Sequence, residues 1–273
     1  MSDTTDDQPG SDAAREQEAH DAQTLELPVV YAAVLKEGEF ELNRPLQSLV
    51  WSSLAAGLSM GFSMVGEGIL RNGLPRAPWA ELLSKLGYAF GFLLVILGRQ
   101  QLFTENTLTV MLPLLSKPSW HVFNKVAVLW AVVLVGNLLG VTLFTILSAY
   151  TQLFPAALQQ TFVALGHEAL AATPVTTFVR AVFGGWLIAM MVWMLPASEG
   201  SRVLVVLLVT TLVGLGHFAH VIAGSAETLF AVFRGDATLG QWMTHFLLPA
   251  FLGNSLGGTA LVAGINHAQT RGA

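Results

Sequence analysis

The sequence predicts an all-α membrane protein whose six transmembrane helices form a 3+3 inverted repeat, with two of the helices broken. Three observations carry this. Of the 273 residues, 53% are hydrophobic and only 11% are charged, against about 25% charged in a soluble domain. Apolar runs near the roughly 20 residues needed to cross a bilayer recur along the chain. A Gly-Asn-x-x-Gly step appears twice, as GNLLG at 136–140 and GNSLGG at 253–258.

The charge is unevenly placed. Residues 1–44 hold 11 of the 18 acidic residues and 3 of the 13 basic ones, which leaves a balance of +3 on the remainder. Residues 1–24 are acidic, rich in Gln, Ala and Ser, and poor in large apolar side chains, so they read as a solvated, disordered tail. No basic segment followed by a short apolar core opens the chain, so no signal peptide is expected. The chain has no cysteine, which excludes disulfides and thiolate metal sites. Residues 25–44 (LELPVVYAAVLKEGEFELNR) are too charged to span a bilayer. They are expected to form an amphipathic helix at the membrane surface or against a neighbouring subunit.

The membrane body runs over 45–270, with spans expected at 46–70, 80–98, 121–149, 175–197, 201–216 and 238–265. Charged or turn-forming residues bound them, including Arg71, Pro75, Lys117, Pro118, Pro174, Gly200 and Asp236. The second and fifth runs do not end cleanly. The second continues as RQQLFTEN (99–106) and a further ten apolar residues; the fifth continues as HFAHVIAG (217–224) and SAETLFAVF. A ten-residue run is too short to cross. Irregular backbone at membrane depth is tolerated only inside protein or beside a water-filled cavity, and paired broken helices point to a substrate site. Each half reads as whole helix, broken helix, then a helix with the Gly-Asn step. Three spans per half force opposite orientations. The 150–177 loop lacks Lys and Arg, so it is expected outside, with both termini cytoplasmic in the inner membrane.

Ionisable residues inside spans are costly and face cavities. The candidates are Glu67, Lys85, Arg99, Glu105, His217, His220, Glu227 and His245. Glu67, Lys85 and His245 lie near span ends, where snorkelling accounts for them. His220 lies inside the second break, where an imidazole can hydrogen-bond an anion or hand it a proton near neutral pH. Arg99 and Glu105 flank the first break and are expected to brace it by pairing, or to set the charge of a vestibule. Thr104 offers a hydroxyl beside the apolar Leu102 and Phe103.

LGRQQLFTEN (97–106), WLIAMMVWM (186–194), FAHVIAG (218–224), GSAE (224–227) and GNSLGG, in that order, resemble the formate/nitrite transporter family, in a divergent branch. The resemblance covers about 45–270. It implies a homo-pentamer of aquaporin-like protomers, each with its own route for a small monovalent anion or its conjugate weak acid. No cofactor, metal or nucleic acid is implied, and no catalytic group. It further implies a constriction of Leu102, Phe103 and Thr104 with Tyr88 and Phe92, a second constriction including Val213, a pore histidine at His220 in Phe-x-His-x-x-Ala spacing, and a pore Asn at Asn254. The sequence departs from the family pattern at Ala219 and Gly224, where Glu and Asn are usual, and at Gln101, where an acid is usual. No Lys follows Lys125 to attract anions at the outer mouth, and Arg180 is displaced from that place. These departures keep two alternatives open: a channel for uncharged solutes, and a non-transporting scaffold or sensor whose acidic tail recruits a partner.

Overall fold

The computed structural model describes residues 26–75 and 77–272; the acidic tail lies outside the described residues. The described chain is helical in this order: α1 (Leu27–Glu41), α2 (Leu46–Gly73), α3 (Pro78–Leu97), α4 (Phe103–Thr109), α5 (Met111–Ser116), α6 (Trp120–Tyr150), α7 (Ala156–Leu170), α8 (Pro174–Ala197), α9 (Arg202–Leu215), α10 (Ala223–Phe233) and α11 (Leu239–Arg271). Five of these, α2, α3, α6, α8 and α11, are long and apolar enough to cross a membrane. The fifth expected run is the two-piece arm α9–α10, broken at 216–222. The first break, at 98–102, follows α3 and leads into the short α4 and α5.

Local chemistry sets the ends. Ser119 caps α6 by accepting a hydrogen bond from the Val122 N–H at 3.2 Å, and Thr173 caps α8 through the Thr176 N–H at 3.2 Å. Thr238 and Gln241 close a capping box at the start of α11. Each satisfies N–H groups that a helix start leaves unpaired. Within α11 the hydrogen-bond pattern loosens to π-helical turns over Trp242–Leu247 and Gly257–Gly264.

The two halves repeat each other residue by residue. α2 packs on α6 as α8 packs on α11. A Cβ at Gly57 of α2 would collide with the backbone of Asn137 of α6, and one at Gly185 of α8 would collide with that of Asn254 of α11. Glycine at both places therefore lets the backbones touch where the Gly-Asn steps cross. The breaks match as well. α3 and α9 both end on a glycine, Gly98 and Gly216, followed by a residue with φ of 50°, Arg99 and His217. A left-handed non-glycine residue costs roughly 1–2 kcal/mol, so the same strain is held at the same place twice. Gln100 N–H reaches the Val95 carbonyl at 2.9 Å, and Phe218 N–H reaches the Val213 carbonyl at 3.0 Å.

One element differs from expectation. The 150–177 stretch is not a bare loop: α7 buries Leu158, Phe162 and Leu165 against α10, with the Phe162 ring edge-on to Phe230 at 5.3 Å. α1 packs one face on its own chain. Its buried residues Val30, Val34 and Gly38 recur every fourth position, one helix face, and that face meets α4 and α5. The Tyr31 hydroxyl is 2.7 Å from Ser116 Oγ and 2.6 Å from His267 Nδ1, which ties α1 to the C-terminal end of α11. The end of the bundle carrying α1 is here the near face, and the end carrying α7 the far face. Between them, side chains such as Leu139, Leu208 and Leu252 point outward exposed, as a lipid-facing or subunit-facing belt requires.

Candidate functional site

Each break is held by the asparagine of a Gly-Asn step. Asn137 Oδ1 accepts from the Phe103 N–H at 2.9 Å, and its Nδ2 donates to the Gln101 and Ser53 carbonyls, both at 2.8 Å. Asn254 Oδ1 accepts from the Val221 N–H at 2.8 Å, and its Nδ2 donates to the Ala219 carbonyl at 2.9 Å and the Ala181 carbonyl at 2.8 Å. Both side chains are fully buried. A broken helix leaves backbone groups unpaired, and burying them unpaired is expensive. One primary amide, with one acceptor oxygen and two N–H donors, answers three of them at once. Asn254, expected to face a passing solute, spends its amide on the backbone. The recurrence of GNxxG thus has a reason beyond close helix packing.

The clamps set what faces the centre. Counting from each glycine, Leu102 of the first break and His220 of the second hold equivalent places. His220 is 1% exposed. The Ala223 N–H donates to its Nδ1 at 3.1 Å, so the proton of the neutral ring sits on Nε2. That N–H donates to Thr104 Oγ1 at 2.7 Å. The Phe92 ring stands edge-on to the imidazole at 4.9 Å, and Tyr88 packs on Phe92 at 5.4 Å. Leu102, Phe92 and Val213 are fully buried. Phe103, expected with Tyr88 and Phe92, turns the other way, its ring 5.4 Å from both Trp130 and Phe251.

Two cavities approach this cluster from opposite sides. The near-face cavity, about 690 Å³, is lined by Glu37, Arg44, Arg99, Gln101, Glu105 and Arg202, among others. The far-face cavity, about 70 Å³, is lined by Lys85, Tyr88, Val213, His217, His220 and Glu227, among others. Of the bonded pair, His220 lines the far cavity, while Thr104 is fully buried behind it.

The charges are arranged differently from expectation. Arg99 and Glu105 do not pair. The left-handed turn at Arg99 sends its guanidinium outward, 69% exposed, to Glu37 of α1 at 2.8 Å. Glu67 and Lys85 do not snorkel. They form a buried ion pair at the far cavity, with side chains 1% and 9% exposed. Arg71 reaches Glu168 of α7 through two bonds of 2.9 and 2.5 Å. Burial alone would raise the Glu168 carboxyl; the Arg71 bonds outweigh it and hold that carboxyl below its ordinary value. Among the described residues, no three His, Asp or Glu side chains converge to hold a metal ion.

Residues 28–268 match the formate/nitrite transporter family. The chain is 41% identical to the inner membrane protein YfdC of Escherichia coli K12 over 89% of this chain and 78% of the relative. It is 26% identical to a probable formate transporter of Methanothermobacter thermautotrophicus, covering 82% and 89%. The solved structure of a pentameric formate channel with formate bound shares the fold at a TM-score of 0.73 and 23% identity, covering 83% of this chain and 97% of that one. With the inverted repeat, the paired breaks and these likenesses together, the chain belongs to the formate/nitrite transporter family.

Proposed function

We propose that the chain is a membrane channel for small monovalent anions and their conjugate weak acids, of the formate and nitrite type, working as one protomer of a homo-pentamer. The observation that carries this reading is the buried Thr104–His220 bond at the inner end of the far cavity, with the Phe92 ring edge-on to the imidazole and Val213 lining the same cavity. A charge at the bilayer centre costs about 2.5–3.5 kcal/mol even on lenient scales. A solute that sheds its charge at this cluster avoids that cost. The Thr104 hydroxyl, which accepts from His220 and keeps its own proton to donate, then gives the neutral acid a polar contact along an oily passage formed by Leu102, Phe92, Tyr88 and Val213. Phe103 supports the cluster from behind, and Asn254 and Asn137 hold its two loops.

The near face carries Arg44, Lys117, Arg202 and Arg271, which favours a cytoplasmic near face and cytoplasmic termini. The homo-pentamer rests on the solved formate channel of the same fold. A second reading, passage of uncharged solutes, is favoured by the far cavity, where Lys85 is neutralised by Glu67 and Arg71 by Glu168. One experiment separates the two: flux into proteoliposomes for formate, nitrite, acetate, lactate, hydrosulfide and a neutral solute such as glycerol, at two pH values. The proposal expects uptake of the acids that rises with acidity. It also expects His220→Phe to abolish selective uptake while the oligomer stays intact. Equal uptake of the acids by His220→Phe would overturn it.

A further inference from the structure

If the solute crosses as a neutral acid, something beside this cluster must hand an incoming anion its proton. His220 is badly placed to do so. Its Nδ1 is engaged by the Ala223 N–H and its Nε2–H is committed to Thr104, so neither ring nitrogen is free for exchange with the cavity. The remaining groups on the far cavity can be taken in turn. Glu67 of α2 is bound to Lys85 of α3, and Glu168 of α7 to Arg71 of α2. Tyr88 of α3 is a phenol and Arg180 of α8 a guanidinium, neither a carboxyl nor an imidazole. His217 is exposed at the mouth, in the strained link after α9. Glu227 of α10 is left. It lines the same cavity as His220, two helical turns further along the chain. Among the described residues its carboxyl has no hydrogen bond and no ion pair. α6 and α11, which also pack on α10, bring no charged side chain to this cavity.

We propose that Glu227 is the proton carrier of the far cavity, protonating a monovalent weak-acid anion there before it passes His220. This rests on the channel reading above and adds the group that does the chemistry. The step balances simply. The carboxyl O–H of Glu227 breaks and an O–H forms on the anion. The electron pair stays on the Glu227 carboxylate, which takes a proton back from the solution at the far face. Each cycle moves one anion and one proton together. The geometry suits this role: a free carboxyl beside a buried ion pair, in a cavity of about 70 Å³ with room for a few waters or one small anion.

The test uses the full chain in proteoliposomes with formate as probe, reading uptake and the accompanying proton movement from pH 5 to pH 8. Wild type should take up formate with one proton each and show a rise toward acid pH. Glu227→Gln, of the same shape but unable to give a proton, should cut uptake at least tenfold at pH 6 and flatten the profile. Glu227→Asp should keep the coupling and shift the profile's midpoint; this variant carries the test if the Gln form does not assemble. His217→Gln should keep the wild-type profile. A Glu227→Gln channel that is slower with an unchanged profile, or a flattening that follows His217 instead, overturns the proposal while the channel reading stands. A wild type that moves no formate overturns both.

Discussion

Removing the amide of Asn254 tests the clamp directly. Asn254→Ala deletes three hydrogen bonds of 2.8, 2.8 and 2.9 Å. Polar contacts between membrane helices average about 0.6 kcal/mol each, because the dissociated helices find other partners; three of them give a lower bound near 2 kcal/mol. The Val221 N–H and Ala219 carbonyl belong to an irregular buried link and have no such replacements. Each buried group left unpaired costs about 1–3 kcal/mol. The Ala181 carbonyl lies mid-helix and keeps its helical partner. The expected loss is therefore about 2–6 kcal/mol, read as an earlier thermal midpoint of the detergent-solubilised oligomer. Asn254→Asp keeps the Oδ1 acceptor for Val221 but sets a carboxylate against two carbonyls, so it should rescue little. Asn137→Ala in the other half should cost a similar amount, and the double variant should show the sum, because the clamps share no partner. An Asn254→Ala oligomer as stable as wild type would refute the clamp argument.

Two further outcomes follow from the charges. Lys85→Met leaves the buried Glu67 carboxylate uncompensated, so it should destabilise by about 3–5 kcal/mol, whereas Lys85→Met with Glu67→Met should return close to wild type; the midpoints of the solubilised oligomers decide this. The Arg71–Glu168 pair is 30% and 39% exposed on its two sides. A double-mutant cycle should therefore give at most about 1 kcal/mol of coupling, shrinking as salt rises. The Glu168 carboxyl is held low in the folded state, so the pair's support is present at neutral pH and is lost as pH falls through its folded value.

The architecture was readable because it is written in periodic and repeated features: apolar run length, two breaks, and two GNxxG steps at matching places. The site was readable only in part. His220 and Thr104 were singled out, and the fold joins them by one bond. What the Gly-Asn steps do was not readable, since a sequence gives a polar residue's position and not its target. Arg99 and Glu105 were paired on proximity in sequence, and a left-handed φ at Arg99 defeats that logic by reversing where the side chain points. The Glu67–Lys85 pair had a usable signal. Glu67 lies seven residues before Leu74 and Lys85 seven after Pro78. Two antiparallel helices joined by that short turn bring residues at equal distances from it to equal depth. Opposite charges at one depth are better explained by each other than by two separate helix ends.

The repeat also indicates where chemistry belongs. The features identical in both halves are structural: the glycine contacts at Gly57 and Gly185, the clamps at Asn137 and Asn254, and the strained residues at Arg99 and His217. They hold two irregular links at membrane depth and ask nothing of a solute. Function must therefore lie where equivalent places differ. Leu102 and His220 are equivalent, yet one is aliphatic and the other an imidazole. Glu227 stands seven residues past His220; the place seven past Leu102 is Thr109, which bonds within α4 to the Glu105 carbonyl at 3.3 Å. At these two equivalent places, then, the far half carries a carboxyl facing a cavity and the near half a hydroxyl tied into its own helix.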